Sequence, residues 1–377
     1  MPESLAIKIL YDAQVFGVQR YGGISRYICE LARRISRMDG TSAHILAPAH
    51  VNAYLPTLKA GVLIGWAARG DGPAGALEDF AARVTRKATE VLFRPDIVHE
   101  TYYWGPVVNV RQPHLRVLTI HDMIHERFPS MFPAGDGTPA AKRRAAERAD
   151  HVTCNSEATR ADVLEMLGLP ESKVSVVPHG AHLKLPERAA GSRHVSRPYV
   201  LYVGQRGGYK NFAGLLRAVG ASPRLRELQL VCFGGGAFTS AELDLIRACG
   251  LNPLHVEHRS GGDAELASLY AGALCLVYPS MFEGFGAPPL EAMQCDCPVA
   301  CSNTSSIPEV VGDAGVYFDP IEPDSIRAAL ERLVDSKTLR AELRTLGKIR
   351  VAKFTYDRCA IRTAELYKRL LGDTGRA

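Results

Sequence analysis

The chain has 377 residues, of which 46% are hydrophobic and 23% charged, with a formal net charge of +5; this is the profile of a folded protein long enough for two domains. It holds no apolar run of the length a membrane-spanning helix needs, and nine cysteines in a chain this long do not make a secreted disulfide framework. These features point to a cytoplasmic protein. The mild positive charge admits anionic partners such as nucleotides, phospholipid-linked molecules or a membrane surface without choosing among them.

In chain order, "AIKILYD" reads as a strand rather than a leader, because it carries Lys8 and no small-residue cleavage pattern follows. "ISRYICELARRISR" reads as a helix with Ile24, Tyr27, Ile28, Leu31 and Ile35 on one stripe. Then come the strand "AHILAP", the helix "LEDFAARVTRKATEVLF", the strands "DIVHE" and "RVLTIHD", and the basic helix "PAAKRRAAERA". The strand "HVTCNS", the helix "EATRADVLEML" and the strand "VSVVPHG" follow. From His182 to Pro198 the pattern lapses into a stretch rich in charge, Pro and Gly that reads as a linker. A second alternating series runs from "YVLYVG" to the helix "DSIRAALERLV", and "YDRCAIRTAELYKRLL" is a last helix. Alternating strand and helix argues for parallel sheets covered on both faces. The expected architecture is α/β: a first domain over 1–185, a linker over 186–198, a second domain over 199–355, and a C-terminal helix over 356–377 that returns to the first domain. Ligands of two such halves, facing each other across a cleft, bind at the carboxyl ends of the strands.

The residues with chemical potential stand after those strands. Gly22 and Gly23 precede the first helix, where glycine lets backbone approach a ligand and a helix N-terminus favours an anion. This is not a G-x-G-x-x-G fingerprint. Nor is the "GGG" of Gly234 to Gly236, since Thr239 takes the last glycine's place, so a nicotinamide dehydrogenase is weakly supported. His121 and Asp122 end an apolar strand. A His121–His125 metal pair lacks a third ligand nearby, and a histidine projecting into the cleft is the better reading. "CDCPVAC" lacks the spacing of a zinc site and reads as buried apolar packing. Arg206 and Lys210, in the loop "VGQRGGYKN", suit a diphosphate. In "MFEGFGAPPLEAM", Glu283 follows a strand, Gly284 and Gly286 let the backbone turn, and Pro288 and Pro289 suit a helix's first turn. The amides of Phe285, Gly286 and Ala287 then face a phosphate or sugar, and Glu291 can accept hydrogen bonds from vicinal hydroxyls.

The paired glutamates, the "VG…R…KN" loop, "HD", the "GG" loop and "SSIPEVVGDAGVYFDP" together resemble the retaining glycosyltransferases of family four, which have the GT-B fold of two Rossmann-like domains. The resemblance spans nearly the whole chain in order. It implies that Glu283 binds hydroxyls of a donor sugar, that Glu291 holds the nucleotide ribose, and that Arg206 and Lys210 clasp the diphosphate in place of a metal. It also implies that Gly22 and Gly23 lie against the phosphates and that His121 sits beneath the sugar near its anomeric carbon. Gly284, Phe285, Gly286 and Ala287 would line the sugar, Arg259 and Ser260 would abut the base, and Glu309 would lie on the nucleotide side. Ala287 stands where the family commonly has leucine, and His179 where it has asparagine.

The implied activity is retaining transfer by a front-face route, in which the acceptor hydroxyl gives its proton to the departing diphosphate. No metal or other cofactor is expected. GDP-mannose is the first choice of donor and a UDP-sugar the second; a nucleotide-sugar epimerase or phosphorylase can share the architecture. The expected partners are the nucleotide sugar and a glycan or lipid-linked acceptor of a bacterial surface polysaccharide, with peripheral contact at the inner membrane and no nucleic acid. Trp66, Arg83, Arg86 and Lys87 are the residues placed to meet a lipid-linked acceptor, though an ordinary solvated basic helix face reads equally from this pattern.

Overall fold

A computed structural model of the chain describes residues 6–68, 76–104, 107–110, 115–181, 183, 195 and 197–373, with backbone alone for 76–78. Most of the proposed linker therefore lies outside the described residues. Two compact units divide the chain, the first made of Met1–Gly180 with Tyr356–Ala377 and the second of Ala181–Thr355.

Unit 1 alternates strands β1 (Ile7–Tyr11), β2 (Thr41–Leu46), β3 (Leu63–Ile64), β4 (Ile97–Glu100), β5 (Leu115–Ile120), β6 (His151–Cys154) and β7 (Val174–Val176) with helices. The helices are α1 (Gly23–Ile35), α2 (Ala76–Leu92), α3 (Ile124–Arg127), α4 (Thr138–Arg148) and α5 (Glu157–Leu167). The sheet order is β3-β2-β1-β4-β5-β6-β7, with every pair parallel. The stripe read on α1 is the buried one: Tyr27, Ile28, Leu31 and Ile35 join Ile9, Tyr11 and Ile45 in one core, with Ile24 packed against it.

Unit 2 alternates β8 (Tyr199–Val203), β9 (Gln229–Phe233), β10 (Val256–Arg259), β11 (Cys275–Tyr278), β12 (Val299–Ser302) and β13 (Gly315–Phe318) with eight helices. These are α6 (Phe212–Gly220), α7 (Pro223–Arg226), α8 (Ser240–Ala248), α9 (Asp263–Gly272), α10 (Ala287–Gln294), α11 (Ile307–Val311), α12 (Pro323–Asp335) and α13 (Lys337–Val351). The order β10-β9-β8-β11-β12-β13 is again parallel throughout. Successive side chains leave opposite faces of a strand. Leu201 and Val203 accordingly enter one core with Leu276 and Tyr278, while Val200 and Tyr202 enter the other with Cys275 and Val277. Helices cover both faces, which is why these strands read as unbroken apolar runs.

The last helix, α14 (Tyr356–Asp373), belongs to unit 1. Its Tyr356, Cys359, Leu366 and Tyr367 are part of the α1–β1 core. A buried polar chain fixes it there: the Tyr367 hydroxyl lies 2.5 Å from His99 Nδ1 and 3.2 Å from the Tyr11 hydroxyl. His99 Nε2 is 2.8 Å from the Thr119 hydroxyl, which is 2.8 Å from that of Thr153. Burial pushes the His99 imidazole down to about 3, so it is neutral, as a fully paired buried histidine should be.

Candidate active site

Strand order decides where chemistry can occur. In unit 2 the winding reverses between β8 and β11, and in such sheets ligands bind beyond the carboxyl ends of the strands at that point. The loop after β8 carries Lys210, and the loop after β11 carries Glu283. The two loops are joined directly: the Met281 N–H donates to the Tyr209 carbonyl at 2.7 Å, and Lys210 Nζ donates to Glu283 Oε1 at 2.6 Å. The ammonium also lies 5.2 Å and 5.7 Å from the ring centroids of Tyr209 and Tyr278. Burial raises the Tyr278 phenol well above its ordinary value, and the Glu283 carboxylate beside it adds to the rise. Asn211 takes the left-handed conformation that asparagine tolerates, turns the chain into α6, and donates to the Pro320 carbonyl at 2.6 Å.

The Glu283 loop is braced from β12. Thr304 donates its hydroxyl to the Met281 carbonyl at 3.0 Å, and Ser305 and Ser306 donate theirs to the Glu283 carbonyl at 2.6 and 2.8 Å. Gly286, at φ +89°, turns the chain into α10, whose first turn carries proline and whose N-terminus has no side-chain cap. Phe285 is buried, its ring centroid 5.9 Å from that of Phe354. Glu291 sits one turn into α10, half-buried, with the Tyr270 hydroxyl 3.5 Å from its Oε2. Lys210, Glu283, Gly284, Phe285, Gly286, Ala287 and Glu291 therefore occupy one end of one sheet.

Arg206 departs from the expectation. Its side chain is buried, and its guanidinium is committed to the β9–α8 loop. Nε donates to Glu242 Oε1 at 2.7 Å, Nη1 to the Gly234 carbonyl at 2.8 Å, and Nη2 to the carbonyls of Gly236 and Ala237 at 2.9 and 3.0 Å. The guanidinium also lies 4.6 Å from the centroid of the Phe238 ring. With its donors bonded inside the protein, Arg206 is an anchor of this loop rather than a clasp for a diphosphate. The same contact explains the glycine triplet. Gly234, Gly235 and Gly236 all have φ between +74° and +90°, and a Cβ on Gly235 would stand 2.8 Å from Arg206 Nη1. Arg259 ends β10, its carbonyl accepting from the Gly234 N–H at 3.0 Å, and Ser260 beside it is exposed. Glu309 lies on α11, its carbonyl accepting from Arg350.

In unit 1, His121 follows β5 with its main chain pinned by the Tyr103 hydroxyl at 3.2 Å and the Asn155 side-chain amide at 2.8 Å. The ring is buried, edge-on to Tyr27 at 5.7 Å and beside His179 at 5.3 Å, while His179 stacks on Tyr27 at 3.9 Å. Burial first, then His179, pushes His121 down to about 3; burial does the same to His179. Neither nitrogen of the His121 ring finds a hydrogen bond in the described protein. A neutral imidazole with both nitrogens uncommitted can offer one donor and one acceptor to a ligand. His125 is elsewhere, with its Nδ1 2.6 Å from Asp136 Oδ2 and its ring stacked on Phe132 at 3.8 Å. The His121–His125 metal pair is therefore not formed, and no cluster of three or more metal-ligating side chains occurs among the described residues. The cysteines of "CDCPVAC" are buried free thiols.

Gly22 and Gly23 open α1. Gln19 supplies what a capping side chain would: its Oε1 accepts from the Ser25 N–H at 3.3 Å, and a Cβ on Gly22 would meet that oxygen at 2.2 Å. A Cβ on Gly23 would meet no atom within 4 Å, so the space beside this residue is open. Sequence reading missed Tyr278, Tyr270, the hydroxyls of Thr304 to Ser306, and Gln19. Each acts through tertiary contact, and only the run "NTSS" carried a visible signal.

The description "Glycosyltransferase Family 4" belongs to the family model that matches residues 21–185, and "Glycosyl transferases group 1" to the one that matches residues 186–350. The two matches adjoin, and the chain belongs to these glycosyltransferases; it is a transferase of the family-four, GT-B kind. It is similar to an O-antigen chain mannosyltransferase B of Escherichia coli, 29% identical over 71% of this chain and 74% of that protein. It is also similar to a D-inositol 3-phosphate glycosyltransferase of Thermobispora bispora, 28% identical over 93% of this chain and 90% of that protein. Among solved structures, Anabaena HepE in complex with UDP-glucose matches with a TM-score of 0.74 at 18% identity, over 96% of this chain and 100% of that one, which supports the fold.

Proposed function

We propose that this glycosyltransferase transfers mannose from GDP-mannose, with retention of configuration and without a metal ion, to a hydroxyl of a glycan or lipid-linked glycan in bacterial surface polysaccharide assembly. The observation that carries the reading is the convergence of Lys210, Glu283 and Glu291 beyond β8 and β11. In this reading Lys210 neutralises the charge that grows on the departing nucleoside diphosphate, Glu283 accepts from hydroxyls of the sugar, and Glu291 accepts from the ribose. The Lys210–Glu283 pair must open when the donor binds, so each side chain exchanges one partner for a ligand group. The open space at Gly23, at the N-terminus of α1, suits a phosphate oxygen, and the neutral His121 suits a sugar hydroxyl. The acceptor hydroxyl yields its proton to the diphosphate as the new bond forms on the face the leaving group vacates. The protein contributes position and charge stabilisation to that step.

The similarity to an O-antigen mannosyltransferase supports mannose. A UDP-sugar donor is the second reading; the match to the D-inositol 3-phosphate glycosyltransferase is longer than that to the mannosyltransferase, and its name gives no donor. A membrane-surface location is supported by α2, which exposes Phe80, Val84 and Val91 beside Arg83 and Lys87. No described helix is long and apolar enough to cross a membrane. Transfer from GDP-mannose, UDP-glucose and UDP-N-acetylglucosamine, assayed with excess EDTA, tests the reading. GDP-mannose turnover that survives the chelator, with the product in the donor's anomeric configuration, is the expected result. Turnover that requires Mn²⁺ or Mg²⁺ would overturn the metal-free assignment.

A further inference from the structure

Unit 1 has its own reversal of winding, between β1 and β4, and a cavity of about 260 Å³ opens beyond their carboxyl ends. It lies wholly within unit 1. Gln14 reaches it from the loop after β1, His50 from the segment after β2, Arg86 from α2, and Trp104 from the segment after β4. Its volume is below the roughly 300–1,000 Å³ of pockets that take drug-sized ligands. That suits a single sugar ring.

Among the described residues, polar capacity in this cavity remains unused at the Gln14 oxygen, His50 Nδ1 and Arg86. Gln14 Nε2 donates to Asp12 Oδ2 at 2.6 Å, and Asp12 is itself held by the Thr101 amide at 3.0 Å and hydroxyl at 2.6 Å. The carboxamide is thereby oriented with its oxygen unpartnered among the described residues. His50 is 2% exposed, and its buried Nδ1 has no hydrogen-bond partner in the described protein. A buried polar atom left in this way calls for a ligand or water. Arg86 is half-buried and makes no hydrogen bond or ion pair among the described residues. Trp104 is 43% exposed, and its ring edge lies where a Cβ on Gly137 would stand, 2.6 Å from Cη2, so a side chain there would displace it.

We propose that this pocket binds one pyranose ring that carries an anionic substituent, a phosphate or a carboxylate, as part of the acceptor. The indole face packs against the C–H face of the ring, as amphipathic aromatics do at half-wet sites. Gln14 and His50 supply an acceptor and a donor or acceptor for ring hydroxyls. Arg86 is the group of choice for a planar carboxylate or a phosphate, and a neutral sugar would leave it unused. A nucleobase could also stack on the indole, but it would not use the guanidinium. The name acceptor rests on the transfer reading; the binding site does not, so binding is measured without donor.

The test is calorimetry on the full chain with four probes: a methyl hexopyranoside phosphate, a methyl hexopyranosiduronate, the neutral methyl hexopyranoside, and inorganic phosphate. Saturable binding of at least one anionic pyranoside is expected, tighter than the neutral sugar and than phosphate alone. Which of the two anionic sugars binds identifies the anion. Arg86→Gln should weaken it about tenfold to a hundredfold, the range for a hydrogen bond to a charged group, and leave the neutral sugar's affinity unchanged. Trp104→Ala should weaken both sugars and spare phosphate. Both substituted residues are partly exposed, so folding is not at stake. No saturable binding of either anionic pyranoside would overturn the proposal, as would affinity unaffected by Arg86→Gln or phosphate binding as tightly as the sugars. If the sugars bind as described and no transfer is found with any donor, the transfer reading fails and this site stands.

Discussion

The carboxyl edges of the two sheets are built from opposite materials. In unit 2 the edge is ionic: Lys210 faces Glu283 across 2.6 Å, with a second carboxylate, Glu291, close by in sequence on α10. In unit 1 the edge beside β5 is aromatic: Tyr27, His121 and His179 form a stacked cluster whose imidazoles are neutral, next to the Asp122–Lys142 pair. One strand-helix scheme thus makes two kinds of site, because the loops rather than the sheet set the chemistry. An ionic edge suits a group whose charge changes during reaction. A neutral aromatic edge suits hydroxyl-bearing ligands whose charge does not change. The variants below test whether function divides along that line.

The largest effect is expected at Lys210. If this ammonium stabilises the leaving diphosphate, Lys210→Ala lowers kcat by about 10²–10³, the loss typical of a preorganised charge-stabilising donor. At saturating donor and acceptor, a wild-type kcat with only a raised KM would show that the lysine binds but does not assist departure.

Arg206 should behave differently although it lies four residues away. Removing it leaves Glu242 and the four carbonyls of Gly234 to Ala237 without their donor. Breaking a buried pair costs roughly 3–5 kcal/mol; the Glu242 side chain is 20% exposed, which places the loss near the low end. Denaturant unfolding of Arg206→Ala measures it. Unchanged stability combined with lost nucleotide affinity would return Arg206 to the diphosphate.

That pair of residues shows what the sequence could and could not disclose. The strands, most of the helices and the family were legible, because apolar runs and the "EGFG…PLEAM" spacing are local signals. Helix α13 and the two-residue strand β3 were not read: α13 packs on α10, and β3 exists only by pairing with β2. Arg206 and Lys210 look alike in a loop, and only the fold of the Gly234–Gly236 segment distinguishes them. Tyr278 was invisible for a similar reason. It reads as the end of an apolar strand, and its hydroxyl acquires meaning only when Glu283 is brought over it.

Glu283 and Glu291 should divide donor recognition. Glu291→Ala is expected to weaken binding of the free nucleoside diphosphate by about 1.5–3 kcal/mol, the worth of hydrogen bonds to a charged group. Glu283→Ala should spare nucleotide affinity and impair turnover of the complete donor. It also frees Lys210 from its partner, so calorimetry should find nucleotide affinity no weaker than in the parent protein. Equal losses in the two variants would refute the division.

The smallest effect per residue is the response to acid, and it separates the units most cleanly. His99, His121 and His179 are each held near 3 by burial, against an ordinary value of 6.5. Below pH 6.5 the unfolded chain binds protons at these positions and the native chain does not. Stability is therefore lost as the pH falls. At pH 5.5 the loss is about 1.4 kcal/mol for each histidine, the equivalent of one pH unit. Asp12 acts in the opposite sense, because burial raises it from 3.8 to about 6 and the native chain then holds the extra proton between those values. One carboxyl does not offset three imidazoles. In unit 2 burial acts to raise the Glu242 carboxyl, but hydrogen bonds from Arg206 and Thr239 hold it below its ordinary value of 4.5, so it matters only below that pH. Hydrogen exchange between pH 7 and 5.5, corrected for the intrinsic rate, should therefore show protection falling in unit 1 and holding in unit 2. Replacing His179 with asparagine should flatten part of the unit 1 response. Equal loss of protection in both units would show that the neutral aromatic edge is not the acid-sensitive element of this chain.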